Sequence, residues 1–342
     1  MKWLLVTGGS GFIGSNYIKY VLEQDKDISI INFDLLTYAG HKANTMDVEE
    51  NERYIFVQGD IANVHQVRQV FETYPIDRVV NFAAETHVDN SIENPSAFIR
   101  TNVLGTQVLL EVAKAFWMIG KDDEGYPIYK TGVKFLQIST DEVYGSLGKD
   151  GYFTEDSPLK PNSPYSASKT SGDLLVRAYH MTYHLPINIT RCSNNYGPKQ
   201  HPEKFIPAMV LRAMKDMYLP IYGDGLQIRD WIYVGDHCRA VHLVLEKGID
   251  GEVYNVGGDQ ERQNIEIAKL ILTFLNKDNI LIKHISDRLG HDRRYAINHQ
   301  KLTNDLGWRP SYDFYKGLQE TVNWYVTSKD WVEMITRDKK LN

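Results

Sequence analysis

The chain has 342 residues, 42% of them apolar, and a formal net charge of −6. It is long for one domain and can bury a large core, so two lobes are expected. No apolar run reaches the ~18 residues of a membrane span, and the acidic balance argues against general nucleic-acid binding.

The amino terminus has a short apolar run that leads into a glycine loop and lacks a small-residue cleavage site. It reads as a first strand over 2–6, not a signal peptide. Gly8, Gly11 and Gly14 then form a turn into a helix ending near residue 23. A second strand over 28–33 ends at Asp34, and a third over 54–58 runs into Asp60 and Ile61. A helix over 64–73 precedes a fourth strand over 78–81. A long helix is expected over 95–116 from its apolar face of Val103, Val108, Leu109 and Val112. Residues 120–131 read as a polar loop, and 133–139 as a buried parallel strand. Such regular alternation of strand and helix implies right-handed crossovers and a parallel sheet.

After Thr140 the pattern changes. A helix over 163–183 and a strand over 187–191 are followed by shorter strands at 219–222, 231–234 and 252–256. Helices fall near 205–214, 235–246, 265–275 and 314–326. The expected fold is α/β: a Rossmann-type doubly wound parallel sheet over 1–190, to which 231–247 can return, and a smaller mixed α/β C-terminal substrate lobe over 191–342. Cys192 and Cys238 make neither a disulfide framework nor a metal site by spacing. Buried thiols in a reducing cytoplasm are expected.

The glycine spacing G-x-x-G-x-x-G follows a strand and opens a helix. It allows a tight turn, close approach of a pyrophosphate, and phosphate binding by helix N–H groups. Asp34, twenty residues past Gly14 at the end of the second strand, suits a ribose diol and would repel a 2′-phosphate. NAD is therefore expected over NADP. Asp60 and Ile61 are placed to meet the adenine.

Ser139, Thr140, Asp141 and Glu142 end the strand over 133–139, at the carboxyl edge where open α/β sheets bind ligands. Adjacent acids there suit a metal, a helix cap, or an acid and a base. No further acids or histidines recur nearby at ligand spacing, so no metal is expected. Tyr165 and Lys169 share a helix face at i and i+4. A phenol with pKa near 10 is a poor base at neutral pH, and an adjacent cation favours its phenolate. With Thr140 they compose a hydride-transfer site, the phenolate as base and the hydroxyl orienting the substrate. Lys204, Arg229, Arg293 and Arg294 supply the local positive charge that an anionic substrate needs in an acidic chain.

The segments TGGSGFIG (7–14), AAETHVDNSI (83–92), STDEVYG (139–145), PYSASK (164–169), CSNNYGP (192–198), EKFIP (203–207), PIYG (220–223), QIRDW (227–231) and GHDRRYAI (290–297) carry a resemblance over essentially the whole chain. It resembles the extended short-chain dehydrogenase/reductase superfamily, and within it the nucleotide-sugar 4,6-dehydratases that act on dTDP-glucose. The resemblance implies tightly held NAD, a homodimer, and conversion of dTDP-glucose to dTDP-4-keto-6-deoxyglucose for rhamnose and other deoxysugars. It adds Phe12, Ile13, Leu35, Thr37, Ala83, Ala84, Thr101 and Asn195 to the cofactor contacts, beside Tyr165 and Lys169. On the substrate side it adds Thr86, His87, Asn194, Phe205, Ile206, Pro207, Pro220, Tyr222, Asn264, Asp292 and Tyr295. His87 is expected to support by hydrogen bonding and not to act as a general acid.

In that reaction Glu142 takes the C5 proton and Asp141, protonated, gives one to the departing 6-hydroxyl; like charges side by side favour such a split. A nucleotide-sugar 4-epimerase shares the fold, the glycine loop and Y-x-x-x-K but needs no such pair. A 4,6-dehydratase acting on a UDP-sugar is the other alternative. The sequence departs from the family at Thr86, where Ser is frequent, and at Lys199, where many members place an aromatic residue after Gly-Pro.

Overall fold

The structure is a computed structural model that describes residues 2–287 and 292–337. Its first half runs β1 (Lys2–Thr7), α1 (Phe12–Gln24), β2 (Ile28–Asp34), β3 (Tyr54–Gln58), α2 (Val64–Thr73), β4 (Arg78–Asn81), α3 (Val88–Glu93), α4 (Pro95–Phe98), a π-helical stretch Ile99–Gly105, α5 (Thr106–Trp117), β5 (Met118–Lys121), β6 (Pro127–Tyr129) and β7 (Lys134–Thr140). There follow a short turn of helix Asp141–Tyr144, α6 (Pro164–Tyr183), β8 (Ile187–Cys192), β9 (Asn194–Tyr196), α7 (Phe205–Met214), β10 (Leu219–Tyr222), β11 (Ile228–Tyr233), α8 (Val234–Lys247), β12 (Val253–Val256), β13 (Glu261–Gln263), α9 (Asn264–Phe274), β14 (Ile282–Ile285), α10 (Gln300–Leu306), α11 (Phe314–Thr327) and α12 (Lys329–Arg337).

Seven strands form one sheet in the order β12-β8-β7-β4-β1-β2-β3, and every neighbouring pair is parallel. β2 is buried at all seven positions, as a central parallel strand covered on both faces must be. One face packs under α1 and α8 through Ile18, Val21, Val241 and Val244. The other packs under α2, α5 and α6 through Val67, Leu109 and Val176. A separate core, with Val210, Ile271 and Leu318, joins α7, α9 and α11. α6 starts sharply because Ser163 and Ser166 cap each other reciprocally and Pro164 takes the first helical position. Among the described residues no helix is long and apolar enough to cross a membrane.

Three local expectations are corrected. The helix expected over 95–116 is broken by the π-helical stretch Ile99–Gly105. A Cβ on Gly105 would lie 2.5 Å from Ile61 Cδ1, so the helix approaches the loop after β3 closely there. The same stretch lets Asn102 donate to Glu85 O at 3.0 Å and to Ser168 Oγ at 2.8 Å. The expected polar loop 120–131 contains most of an antiparallel hairpin of β5 and β6, which exposes Ile119 and Ile128. β12, expected among the strands of the mixed lobe, pairs with β8 at the edge of the main sheet. Strands as short as β9 and β13 have too few positions to display a period of two.

Candidate active site

The carboxyl ends of β1, β2, β4 and β7 open onto one cavity of about 310 Å³. Every residue expected at the cofactor, from Gly8 to Asn195, lines it, and so do Thr140, Asp141, Glu142, Tyr165 and Lys169. Of the residues expected at the substrate, Thr86, Asn194 and Lys204 line the same cavity.

The glycine turn fits a dinucleotide. Gly8 has φ +67°, and a Cβ there would lie 2.6 Å from Ala83 N; one on Gly14 would lie 2.4 Å from Gly8 O. Side chains at these points would close the approach to the N-terminus of α1. Asp34 is fixed at the cavity edge, accepting from Ser10 N at 2.9 Å and Leu36 N at 2.8 Å. Burial pushes its carboxyl up, and these two N–H groups oppose that. Asp60 accepts from Ala62 N at 2.8 Å and from Arg100 at 2.5 Å, so it holds its loop as well as facing the cavity.

At the end of β7, Thr140 caps the turn that follows: Glu142 N donates to its Oγ1 at 3.3 Å. Asp141 is 2% exposed, and its Oδ2 is buried without a hydrogen-bond partner. Burial, then Glu142 and Asp230, push its carboxyl well above the usual range, against Arg229 and the Thr140 hydrogen bond. Burial and neighbouring carboxylates both disfavour the charged form of an acid. The shift has the direction that an acid in this position requires.

Tyr165 differs from expectation. Burial, then Glu142 and Cys192, push its phenol well above the ordinary value, while a hydrogen bond with Thr140 pulls the other way. Lys169 stands one helical turn away, but its Nζ donates to Ile138 O at 2.7 Å and burial lowers its own pKa. In the protein alone the phenol is therefore protonated.

A second group adjoins the acids from the other lobe. Arg229 is buried; it donates to Ile228 O at 2.8 Å and Asp292 O at 2.9 Å, and it stacks over the Tyr295 ring at 4.5 Å. Tyr295 bonds to Asp292, and Glu142 is among the causes that raise its pKa. The remaining expected substrate residues have local partners or core positions. Arg293 pairs with Asp224 at 2.9 and 3.1 Å, and Arg294 with Glu261 at 2.6 and 2.8 Å. His87 Nδ1 caps α3, accepting from Asn90 N at 3.3 Å. Ile206 and Pro207 are buried in α7, with Phe205 packed against the same core. Pro220 and Tyr222 lie on β10, and Asn264 N donates to Gln227 O at 3.1 Å. Positions 290 and 291 of the expected segment 290–297 lie outside the described residues.

Sequence reasoning missed Gln200, His201 and Glu203, which also line the cavity. Glu203 opens the quoted segment 203–207, Gln200 and His201 fall between it and 192–198, and no periodicity points any of them inward. It also missed His237, buried and pushed down to about 3 by burial, whose Nδ1 meets Asn195 Oδ1 at 2.8 Å and fixes that amide. Away from the cavity the fold brings ligand atoms of Asp25, His242 and Glu246 within 4.8 Å of one another. Glu246 there already pairs with Lys2 and Arg78.

The model of the GDP-mannose 4,6 dehydratase family matches residues 5–321. A dTDP-glucose 4,6-dehydratase from Xanthomonas campestris is 48% identical over 342 residues, covering 97% of this chain and 95% of the relative. The crystal structure of a dTDP-glucose 4,6-dehydratase from Bacillus anthracis in complex with NAD is similar, with a TM-score of 0.88 and 47% identity over 98% of this chain and 100% of the other. One from Streptomyces venezuelae with NAD bound has a TM-score of 0.90 and 44% identity over 97% and 99%. The chain belongs to the GDP-mannose 4,6 dehydratase family and, within it, to the dTDP-glucose 4,6-dehydratases.

Proposed function

We propose that this chain is an NAD-dependent dTDP-glucose 4,6-dehydratase, a hydro-lyase yielding dTDP-4-keto-6-deoxyglucose. The observation that carries the reading is Asp141, a buried acid whose carboxyl is pushed well up beside Glu142, in the cavity that also contains Tyr165 and the glycine turn. An epimerase has no use for an acid–base pair at C5 and C6.

Bound NAD+ supplies the means to remove hydride from C4 of the sugar and return it at C6. Tyr165 loses its proton to solvent, favoured by the positive charge of bound NAD+, and the phenolate then accepts the proton of the sugar 4-hydroxyl, with Thr140 orienting both oxygens. Lys169, one helical turn away, is proposed to stabilise the phenolate by its positive charge once the proton has left. Once C4 is a ketone its C5 hydrogen is acidic, and Glu142 removes it. Asp141 gives its proton to the 6-hydroxyl, which leaves as water. Glu142 then returns a proton to C5. Arg229 is the proposed diphosphate ligand, helped by Lys204 and Asn194. Residues 1–190, with 231–247 returning to them, are proposed to hold the cofactor, and the rest the sugar nucleotide.

The exposed apolar side chains Leu174 and Met181 of α6 and Ile99 and Leu104 of the neighbouring π-helical stretch support a homodimer through this face. A cytoplasmic location and a place in rhamnose or other deoxysugar synthesis complete the proposal.

The test offers the purified protein dTDP-glucose, UDP-glucose and UDP-N-acetylglucosamine, with products identified by mass and NMR. Loss of water from dTDP-glucose is the expected outcome. A C4 epimer without change of mass would sink the dehydratase reading, and preferential dehydration of a UDP-sugar would reassign the substrate.

A further inference from the structure

Two walls of the cavity meet across the glycine turn. One follows β2 and includes Thr37, Ala39 and Gly40; the other follows β9 and includes Gln200 and His201. Tyr38 and His201 touch edge to face, with centroids 5.7 Å apart. Lys199 joins the walls. Its Nζ donates to Asn44 O at 2.7 Å and to Asp47 Oδ1 at 2.9 Å. Its side chain is 13% exposed.

Asn44 is the anchor point. Its Nδ2 donates to Ser10 O, inside the glycine turn, at 2.7 Å, and its Oδ1 accepts from Trp331 Nε1 of α12 at 2.9 Å. The neighbouring Pro198 O accepts from Asn16 of α1 at 3.1 Å. Lys199 itself sits at φ +69°, a left-handed backbone that non-glycine residues seldom adopt. It does not line the cavity, so none of the proposed chemistry uses its charge.

We propose that Lys199 is a latch that retains the bound dinucleotide: it clamps the loop after β9 to the segment 42–48 and closes the way out past the glycine turn. The inference rests on the reading of the cavity as an NAD site. For the nucleotide to leave, the two walls must part, and parting them breaks both Lys199 contacts.

Holoenzyme loaded with radiolabelled NAD is chased with excess unlabelled NAD, and retained label is followed for wild type, Lys199→Asn and Lys199→Arg. Asn keeps the left-handed turn but lacks the reach and the charge; Arg restores both. Loss of these charge-assisted contacts is expected to speed release about tenfold in Lys199→Asn, equivalent to ~1.4 kcal/mol. Lys199→Arg should stay near wild type, and turnover at saturating NAD should be alike in all three. Equal release from wild type and Lys199→Asn, or release from Lys199→Arg as fast as from Lys199→Asn, overturns the latch and leaves the NAD site standing. A wild-type protein that neither carries nor takes up NAD overturns the cofactor reading and the latch with it.

Discussion

Thr140 donates its hydroxyl to Asp141 Oδ1 at 3.3 Å. The same hydroxyl caps the turn through Glu142 N and is hydrogen-bonded to Tyr165. One side chain therefore touches both Tyr165, the proposed base of the oxidation, and Asp141, the proposed acid of the elimination, and it fixes the backbone of Glu142. If these roles hold, oxidation and elimination use different partners of this hydroxyl, and mutation should separate them.

Asp141→Asn removes the acid and leaves Tyr165 in place. Water loss should slow by about 10²–10⁴-fold, the usual contribution of a positioned proton transfer. Oxidation at C4 should survive, so near-ultraviolet absorbance of reduced cofactor should build up when dTDP-glucose is added. Elimination at the wild-type rate would remove Asp141 from the role of acid.

Glu142→Gln should instead suppress removal of the C5 hydrogen. Incubation in deuterated water followed by NMR of the product reads this directly, and undiminished deuterium at C5 would contradict a base at this position.

Tyr165→Phe blocks the first step, since no other expected group accepts the 4-hydroxyl proton. Stopped-flow absorbance should show no reduced cofactor, in contrast to Asp141→Asn. Normal turnover would exclude the phenol.

Asp141 also predicts a pH dependence of stability. Its folded pKa lies above the unfolded value of ~3.9, so between the two the folded state binds more protons and stability falls as pH rises. The penalty is absent below ~3.9 and complete above the folded pKa. Asp141→Asn cannot ionise, so its melting temperature should exceed that of wild type in neutral buffer, with the gap shrinking towards acid pH. A gap independent of pH would show that burial does not act on the charged carboxylate.

Arg191 and Asp173 form an ion pair at 3.0 Å with side chains 6% and 1% exposed, and Arg191 also donates to Tyr144 OH at 2.9 Å. Arg191→Met leaves a buried carboxylate without its cation. Urea unfolding should show a loss of ~3–5 kcal/mol. A change well below that would mean water reaches Asp173 in the variant.

The sheet, and the meeting of Thr140, Asp141, Glu142, Tyr165 and Lys169 in one cavity, were legible because both are written locally. Apolar runs ending in polar residues marked β1, β2, β4 and β7, and the turn chemistry of Gly8 to Gly14 marked the entry to α1. The four-residue spacing of Tyr165 and Lys169 put them on one helix face. The π-helical break at Ile99–Gly105 was hidden because the contacts made there, Gly105 against Ile61 and Asn102 with Glu85 and Ser168, come from distant parts of the chain. The pairing of β12 with β8 was hidden because a four-residue strand has the same pattern in either lobe.

By itself, then, the sequence determined which residues meet at the carboxyl edge of the sheet, since strand ends, turns and helix faces follow from neighbours within a few positions. The tertiary structure decided their charge states and ties. The Asp141 carboxyl and the Tyr165 phenol are both pushed up, because burial removes water and Glu142 adds negative charge beside both. Arg229 reaches Asp292 and Tyr295, and Lys199 reaches Asn44 and Asp47, across more than sixty and more than a hundred and fifty positions of chain. Desolvation and long-range pairing are properties of packing, and no short stretch of chain encodes them.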